Sequence, residues 1–237
     1  MTATLDIGNG HSTLRFDRLL GHPRDRVWIA VTDPRELVQW FPTAVVYEPR
    51  VGAPMQFDFG GREGLDVYPG EVLEWDPPSV FAFAWGEDVL RFELIEEDGA
   101  TRLLFSHSFA HEPGREARDA AGWEACFEAF DALLEGDADP AAGDWARHHD
   151  EHVALFGELE LEAPDGVARL RLQGPYMKVD GRPAVSVRLD DEPGVLVVRD
   201  EGRALEDGAA VEVLAGTIEE PGAAVAGGVL RDPLASR

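Results

Sequence analysis

The sequence predicts an α+β fold in which a curved antiparallel sheet grips one long C-terminal helix and a β-rich extension follows. Three observations predict it. From Ala44 to Phe109, apolar residues recur at every second position through runs bounded by turn residues, the period of strands with one buried face. Directly afterwards the spacing becomes four, three and four, so Trp123, Phe127, Phe130 and Leu134 form a single helical stripe. Past Gly157 the period of two returns in segments of hairpin length.

The long helix, read at about 115–135, organises the rest. Three of its four stripe positions are large rings, more than a short helix needs unless it covers a broad surface. Glu124, Glu128, Asp131 and Glu135 repeat the same spacing one position later and are expected on a wetter flank, and Gly136 marks the stop. Cys126, the one cysteine, lies beside the stripe and reads as a small core residue, since it has no partner for an internal disulfide.

Taken in order, residues 1–12 read as a flexible N-terminus and the first domain as 13–156. A strand at 14–21 places Leu14, Phe16 and Leu20 on one face, and His22-Pro23 ends it. Proline at a first helical position then suits a short helix burying Val27, Trp28 and Val31. Asp33-Pro34-Arg35-Glu36 has the spacing of a capping box and starts a second short helix through Leu37 to Trp40.

The strands follow as hairpins turning near Arg50–Gly52, at Asp76-Pro77-Pro78 and at Asp98-Gly99. Their alternation aligns Met55, Phe57 and Phe59; then Phe81, Phe83 and Trp85; then Leu90, Phe92 and Leu94; then Leu103, Phe105, His107 and Phe109. A sheet face this apolar must be covered, and the long helix is the cover.

Composition bounds the function. The chain has 46 acidic and 21 basic residues, a net charge of −25, which repels nucleic acid and anionic membrane surfaces. Only Lys178 among the basic residues is a lysine. No basic leader, and no run near the roughly 20 apolar residues of a membrane span, is present, so a cytoplasmic location is expected.

The stretch FDRLLGHPRDRVWIAVTDPRELVQW, with GEVLEWDPP, FAFAW and AAGWEACFEAFDALLEG in that order, resembles the bacterial START-like (SRPBCC) superfamily across about 14–156. More narrowly it is similar to the branch named after the activator of heat-shock-protein-90 ATPase, which has the helix-grip fold. The resemblance implies a sheet of about six or seven strands, two short helices after the first strand, and a long helix closing a hydrophobic cavity. It implies binding or transformation of apolar small molecules. The chaperone activator itself carries an additional N-terminal domain, for which only a dozen residues stand here.

The candidate ligand-binding residues are therefore Phe57, Phe59, Phe81, Phe83, Trp85, Phe92, Phe105, Trp123 and Phe127, with His107 as the polar member. Rings at strand and helix periods are core residues by default. His107, flanked by phenylalanines, either hydrogen-bonds within the core, anchors a ligand hydroxyl or acts as a base, and no carboxylate can be placed beside it from sequence. In DWARHHDEHVALFG, Trp145, His149, His152 and Phe156 share a helical face; His148 and His152 are four apart, but the glutamate that a zincin motif places after its first histidine is absent, and packing is the simpler account. No catalytic residue, metal site or cofactor is assigned, since nucleophile elbow, phosphate loop, dinucleotide fingerprint and paired cysteines are all missing. Binding of an apolar small molecule, an enzyme acting on one in the same cavity, and a chaperone-associated or other protein-interaction module remain as alternatives.

Residues 157–218 fall outside the resemblance. Pairing about Ala163-Pro164-Asp165-Gly166 sets Glu160 opposite Arg169, Glu158 opposite Arg171 and Leu159 opposite Leu170, and further hairpins follow to a last strand at VEVLAGTI. A small barrel or sandwich, or an extension of the main sheet, fits this pattern, and a homodimer through it is compatible with the sequence. Residues 219–237 are expected as a flexible tail.

Overall fold

A computed structural model describes residues 3–59, 68–137, 143–164, 166–180, 182–189, 192–199, 204–217 and 220–235. Of the expected turn residues, Asp165 lies outside these. The chain divides into two compact units, Met1–Ala110 with Gly122–Trp145, and His111–Ala121 with Ala146–Arg237. Residues 146–156, counted with the first domain from sequence, thus fall in the second unit.

The first unit is built on an eight-stranded antiparallel sheet. Its strands are β1 (Thr4–Gly8), β2 (His11–Leu20), β3 (Ala44–Tyr47), β4 (Pro54–Asp58), β5 (Tyr68–Asp76), β6 (Val80–Trp85), β7 (Asp88–Glu97) and β8 (Ala100–Ala110), in the order β1-β2-β8-β7-β6-β5-β4-β3. The expected six or seven strands become eight because residues 4–8, expected as part of a flexible terminus, pair with β2. Asn9-Gly10 makes the turn with both residues at positive φ (55° and 75°), the geometry a two-residue hairpin demands.

Two short helices, α1 (Arg24–Thr32) and α2 (Pro34–Trp40), follow β2. Asp33 caps α2 by accepting from the Arg35 amide at 2.9 Å, but the expected box does not close, because the Glu36 carboxylate pairs instead with Arg26 at 2.5 Å. Trp28 is half-buried rather than core, its ring 5.2 Å from that of Trp75.

The long helix α3 runs Arg115–Leu134, and Gly136 at φ 93° ends it, its amide bonded to the Leu133 carbonyl. Trp123, Phe127 and Phe130 are buried against the sheet: Phe105 lies 4.7 Å from Trp123 and 5.4 Å from Phe127, and Phe16 lies 5.4 Å from Phe127. Glu128 and Glu135 are exposed as expected, but Glu124 is buried, so the flank is not uniformly wet. Asp131 receives Arg18 at 2.6 Å, with the guanidinium 4.8 Å from the Phe127 ring centre. Cys126 is half-buried, and burial pushes its thiol up to about 12, which keeps it protonated.

The second unit holds most of α4 (Trp145–Phe156) and a closed six-stranded barrel. The barrel comprises β9 (Leu159–Ala163), β10 (Gly166–Val179), β11 (Arg182–Leu189), β12 (Glu192–Val198), β13 (Ala210–Gly216) and β14 (Pro221–Arg231), in the order β10-β11-β12-β13-β14-β9. Leu161, Val185, Leu196, Val213 and Leu230 are among its fully enclosed residues. The expected pairs Glu160–Arg169 and Leu159–Leu170 are in register. Two expectations are corrected: VEVLAGTI is not the last strand, and most of the expected flexible tail is β14, which pairs with β13 and β9 and closes the barrel. Gly227 and Gly228 explain why AVAGG reads as a tail and folds as a strand. A Cβ on Gly228 would strike the Glu162 carbonyl, so small residues let β14 lie close to its neighbour.

Candidate functional site

The strands of the first unit bring the expected rings together. Phe57, Phe81, Phe83, Phe92, Phe105 and Phe127 are essentially inaccessible, Trp123 is buried, and Phe59 and Trp85 are half-buried. The rings touch in a continuous lattice: Phe81 to Phe83 at 5.0 Å, Phe57 to Trp85 at 5.4 Å, Phe92 to Phe105 at 4.7 Å. Sheet rings and helix rings therefore meet directly across much of the interior.

Among the rings that join the lattice without having been expected there, two come from the end of α2. Trp40, the last residue of α2, lies 4.7 Å from Phe130 and 6.2 Å from Phe127, and its indole nitrogen donates to the Ala30 carbonyl at 2.9 Å. Phe41, just past α2, stands among Trp85 at 5.5 Å, Trp123 at 5.7 Å, Phe83 at 6.1 Å and Phe57 at 6.4 Å. The expected cavity wall thus surrounds a ring from the α2–β3 junction. Helical periodicity ends at Trp40, and Phe41-Pro42 reads as a connection, so no sequence signal marked it.

His107 is buried on β8, between Leu14 of β2 and Leu90 of β7 in register. Its Nδ1 accepts from the Trp123 indole N–H at 3.0 Å, and its Nε2 lies 3.0 Å from Asp88 Oδ2. An indole nitrogen only donates, so Nδ1 carries a lone pair and the ring proton sits on Nε2, facing the carboxylate. Asp88 is the carboxylate that sequence reasoning could not place: it opens β7, nineteen positions from His107, and only strand pairing brings the two together. With both nitrogens engaged, His107 is better arranged to orient Trp123 and Asp88 than to abstract a proton.

Beside this pair the lattice reaches the surface. Phe59 lies 6.1 Å from Trp85 with ring planes 16° apart, and Tyr68 is also half-buried. Gly86, at φ 62°, has no room for a side chain because the Tyr68 ring lies over it. The half-exposed end of the site is thus Phe59, Tyr68, Trp85 and Asp88, with Phe41 and Trp123 behind.

The second unit holds histidines of another character. His148, His149 and His152 are all buried on α4, and His152 lies 5.3 Å from Phe156. His148 Nε2 accepts from the Arg147 guanidinium at 3.0 Å, which occupies that lone pair. Burial lowers His149 to about 4. His111, missed from sequence, lies between two buried carboxylates, with Nδ1 2.6 Å from Glu116 Oε1 and Nε2 2.8 Å from Asp232 Oδ2. Burial alone would lower its pKa, but the Glu116 and Asp232 carboxylates outweigh this and raise it. A cleft of about 390 Å³ in the second unit is lined by Glu158, Glu160, Asp207, Arg231 and Asp232, among others. Its charged wall does not suit an apolar molecule.

A ring-cored α+β domain with the helix-grip arrangement, followed by a six-stranded barrel, is the class these observations define. Residues 21–135 match the family described as activator of Hsp90 ATPase homolog 1-like protein, a family of the START-like superfamily. Among solved structures, a conserved protein of unknown function from Enterococcus faecalis, EF2215, is similar at 20% identity and a TM-score of 0.55, over 65% of this chain and 89% of that one. CalU16 from Micromonospora echinospora is similar at 22% identity and a TM-score of 0.50, over 64% and 91%. The protein encoded by BPP1335 from Bordetella parapertussis is similar at 23% and 0.50, over 67% and 97%. At these identities the likeness shows the fold alone. No curated protein matches the chain. Among the described residues no helix is long and apolar enough to cross a membrane.

Proposed function

We propose that the first unit binds an apolar small molecule within its ring lattice, entering beside Phe59, Trp85 and Asp88. The observation that carries this reading is the arrangement around His107: the Phe109 and Trp123 rings at 4.8 and 5.7 Å, Leu14 and Leu90 beside it, and the Trp123–His107–Asp88 chain of contacts set at the half-exposed end. One polar group among many apolar ones can orient a ligand without opposing its burial. The family matched over residues 21–135 supports the same reading. An enzyme acting on such a molecule is the second reading, and the contact of His107 with Asp88 is what favours it; the engagement of both imidazole nitrogens weighs against a base.

The test is a fluorescence titration of the full chain with N-phenyl-1-naphthylamine, an uncharged aromatic probe that brightens in apolar surroundings. Saturation at one probe per chain, abolished by unfolding, supports binding. A linear, unsaturable response, with no small molecule retained by protein purified from its own host on native mass spectrometry, excludes it.

A further inference from the structure

We infer that Phe41 occupies the ligand's place in the unliganded protein, and that the natural ligand is an uncharged molecule presenting a flat aromatic ring to Phe57, Phe83, Trp85 and Trp123. This rests on the binding reading above and goes beyond it, by naming the residue displaced and the class of molecule admitted. Four rings from the sheet and the long helix converge on Phe41 at centroid distances of 5.5 to 6.4 Å and interplanar angles of 34° to 67°. These are the tilted and edge-on arrangements aromatic pairs prefer, so a flat ring fits the space and an alkyl chain forfeits the quadrupole contacts.

Phe41 differs from the other rings in how it is held. It belongs to no strand or helix interior: its backbone is extended at φ −75° and ψ 148°, and its amide closes α2 on the Leu37 carbonyl at 2.8 Å. The residues on either side are fastened. Trp40 is tied through its indole to Ala30, and Thr43 Oγ1 donates to the Asp58 carbonyl at 2.5 Å. Movement is therefore confined to Phe41-Pro42, and the Phe41 ring can leave without unravelling α2 or β3. By contrast, Phe57, Phe83 and Trp123 sit within a strand or helix, where the paired backbone cannot shift to let the ring out. Asp88 stands at this end, bonded to His107, and a chamber of rings cannot solvate an anion, so an uncharged ligand is selected.

Titration of the full chain with N-phenyl-1-naphthylamine tests the assignment in three proteins: wild type, Phe41→Ala and Phe130→Ala. Removing the displaceable ring tightens binding at least tenfold in Phe41→Ala. Phe130 packs on the far partner rings Trp40 and Phe127 and not on Phe41, so Phe130→Ala binds no tighter than wild type. In wild type with labelled phenylalanine rings, nuclear Overhauser contacts from Phe41 to Trp85 and Trp123 vanish at probe saturation, and those from Phe130 to Trp40 persist. This second measurement does not depend on any variant folding. Saturable wild-type binding with the Phe41 contacts intact, or with no gain in a folded Phe41→Ala protein, overturns the role of Phe41 and leaves the binding reading standing. Absence of binding in wild type removes both.

Discussion

The indole N–H of Trp123 donates to Nδ1 of His107 across 3.0 Å, and that single contact fixes where the histidine carries its proton. Trp123 comes from the long helix and His107 from β8, so the bond also fastens helix to sheet at the half-exposed end of the ring lattice. Nitrogen-15 spectra of the imidazole should report the Nε2–H tautomer, with Nδ1 unprotonated. An Nδ1–H signal would refute the donor–acceptor assignment.

Trp123→Phe keeps an aromatic ring and deletes the donor. A buried Nδ1 left without its partner costs about 1–3 kcal/mol, beyond what the smaller ring loses in packing. Urea unfolding should show the midpoint fall with the slope unchanged; an unaltered midpoint would mean the contact contributes nothing.

Phe105 touches Phe16, Phe92, Trp123 and Phe127 at once. Phe105→Ala should therefore cost about 3–5 kcal/mol, the range for emptying a large buried ring site. Phe59→Ala, at the half-exposed rim, should cost well under half as much. Equal losses at the two positions would show that the rim is as tightly packed as the centre.

Histidines in the second unit give its stability opposing pH limbs. His149 is held down to about 4 by burial, against an ordinary 6.5. Between those values the unfolded chain binds the extra proton, so stability rises with pH across that window. His111 is shifted up: the two carboxylates outweigh its burial, and the folded chain keeps the proton longer. Its contribution is complete below 6.5 and is lost as pH rises through the elevated value. Urea midpoints of the full chain should peak between the limbs. His149→Gln should flatten the acid side and His111→Gln the alkaline side; a profile unchanged in both variants would refute the linkage.

Gly70 sits where a side chain would meet the Ala84 carbonyl and the Phe57 ring edge at 2.6 Å. Gly70→Ala must push β5 off β6 or shift Phe57, at a cost of roughly 1–3 kcal/mol by the usual scale of overpacking. Circular dichroism melts would check it, and an unchanged melting temperature would show that the sheet yields freely there.

Periodicity carried most of the architecture. The alternation in Leu90, Phe92, Leu94 and in Leu103, Phe105, His107, Phe109 correctly named the buried face of β7 and β8. The spacing of Trp123, Phe127 and Phe130 did the same for α3. Where apolar alternation was weak, the reading failed in spite of local signals: Asn9-Gly10 is a hairpin turn in plain view, and the small residues of β14 suit a crowded strand. No residue of β1 and only Leu230 of β14 is fully buried, so burial left little imprint on either segment.

The sequence by itself determined most of the inward-facing apolar residues, because the chemistry of each side chain and the repeat of its element settle most burial locally. Only the tertiary structure decided which inward residues meet. Asp88 reaches His107, Phe41 enters a ring of side chains from three separate segments, and His111 falls between Glu116 and Asp232, because strand register and chain path bring together positions far apart in sequence. Such meetings leave no period to read.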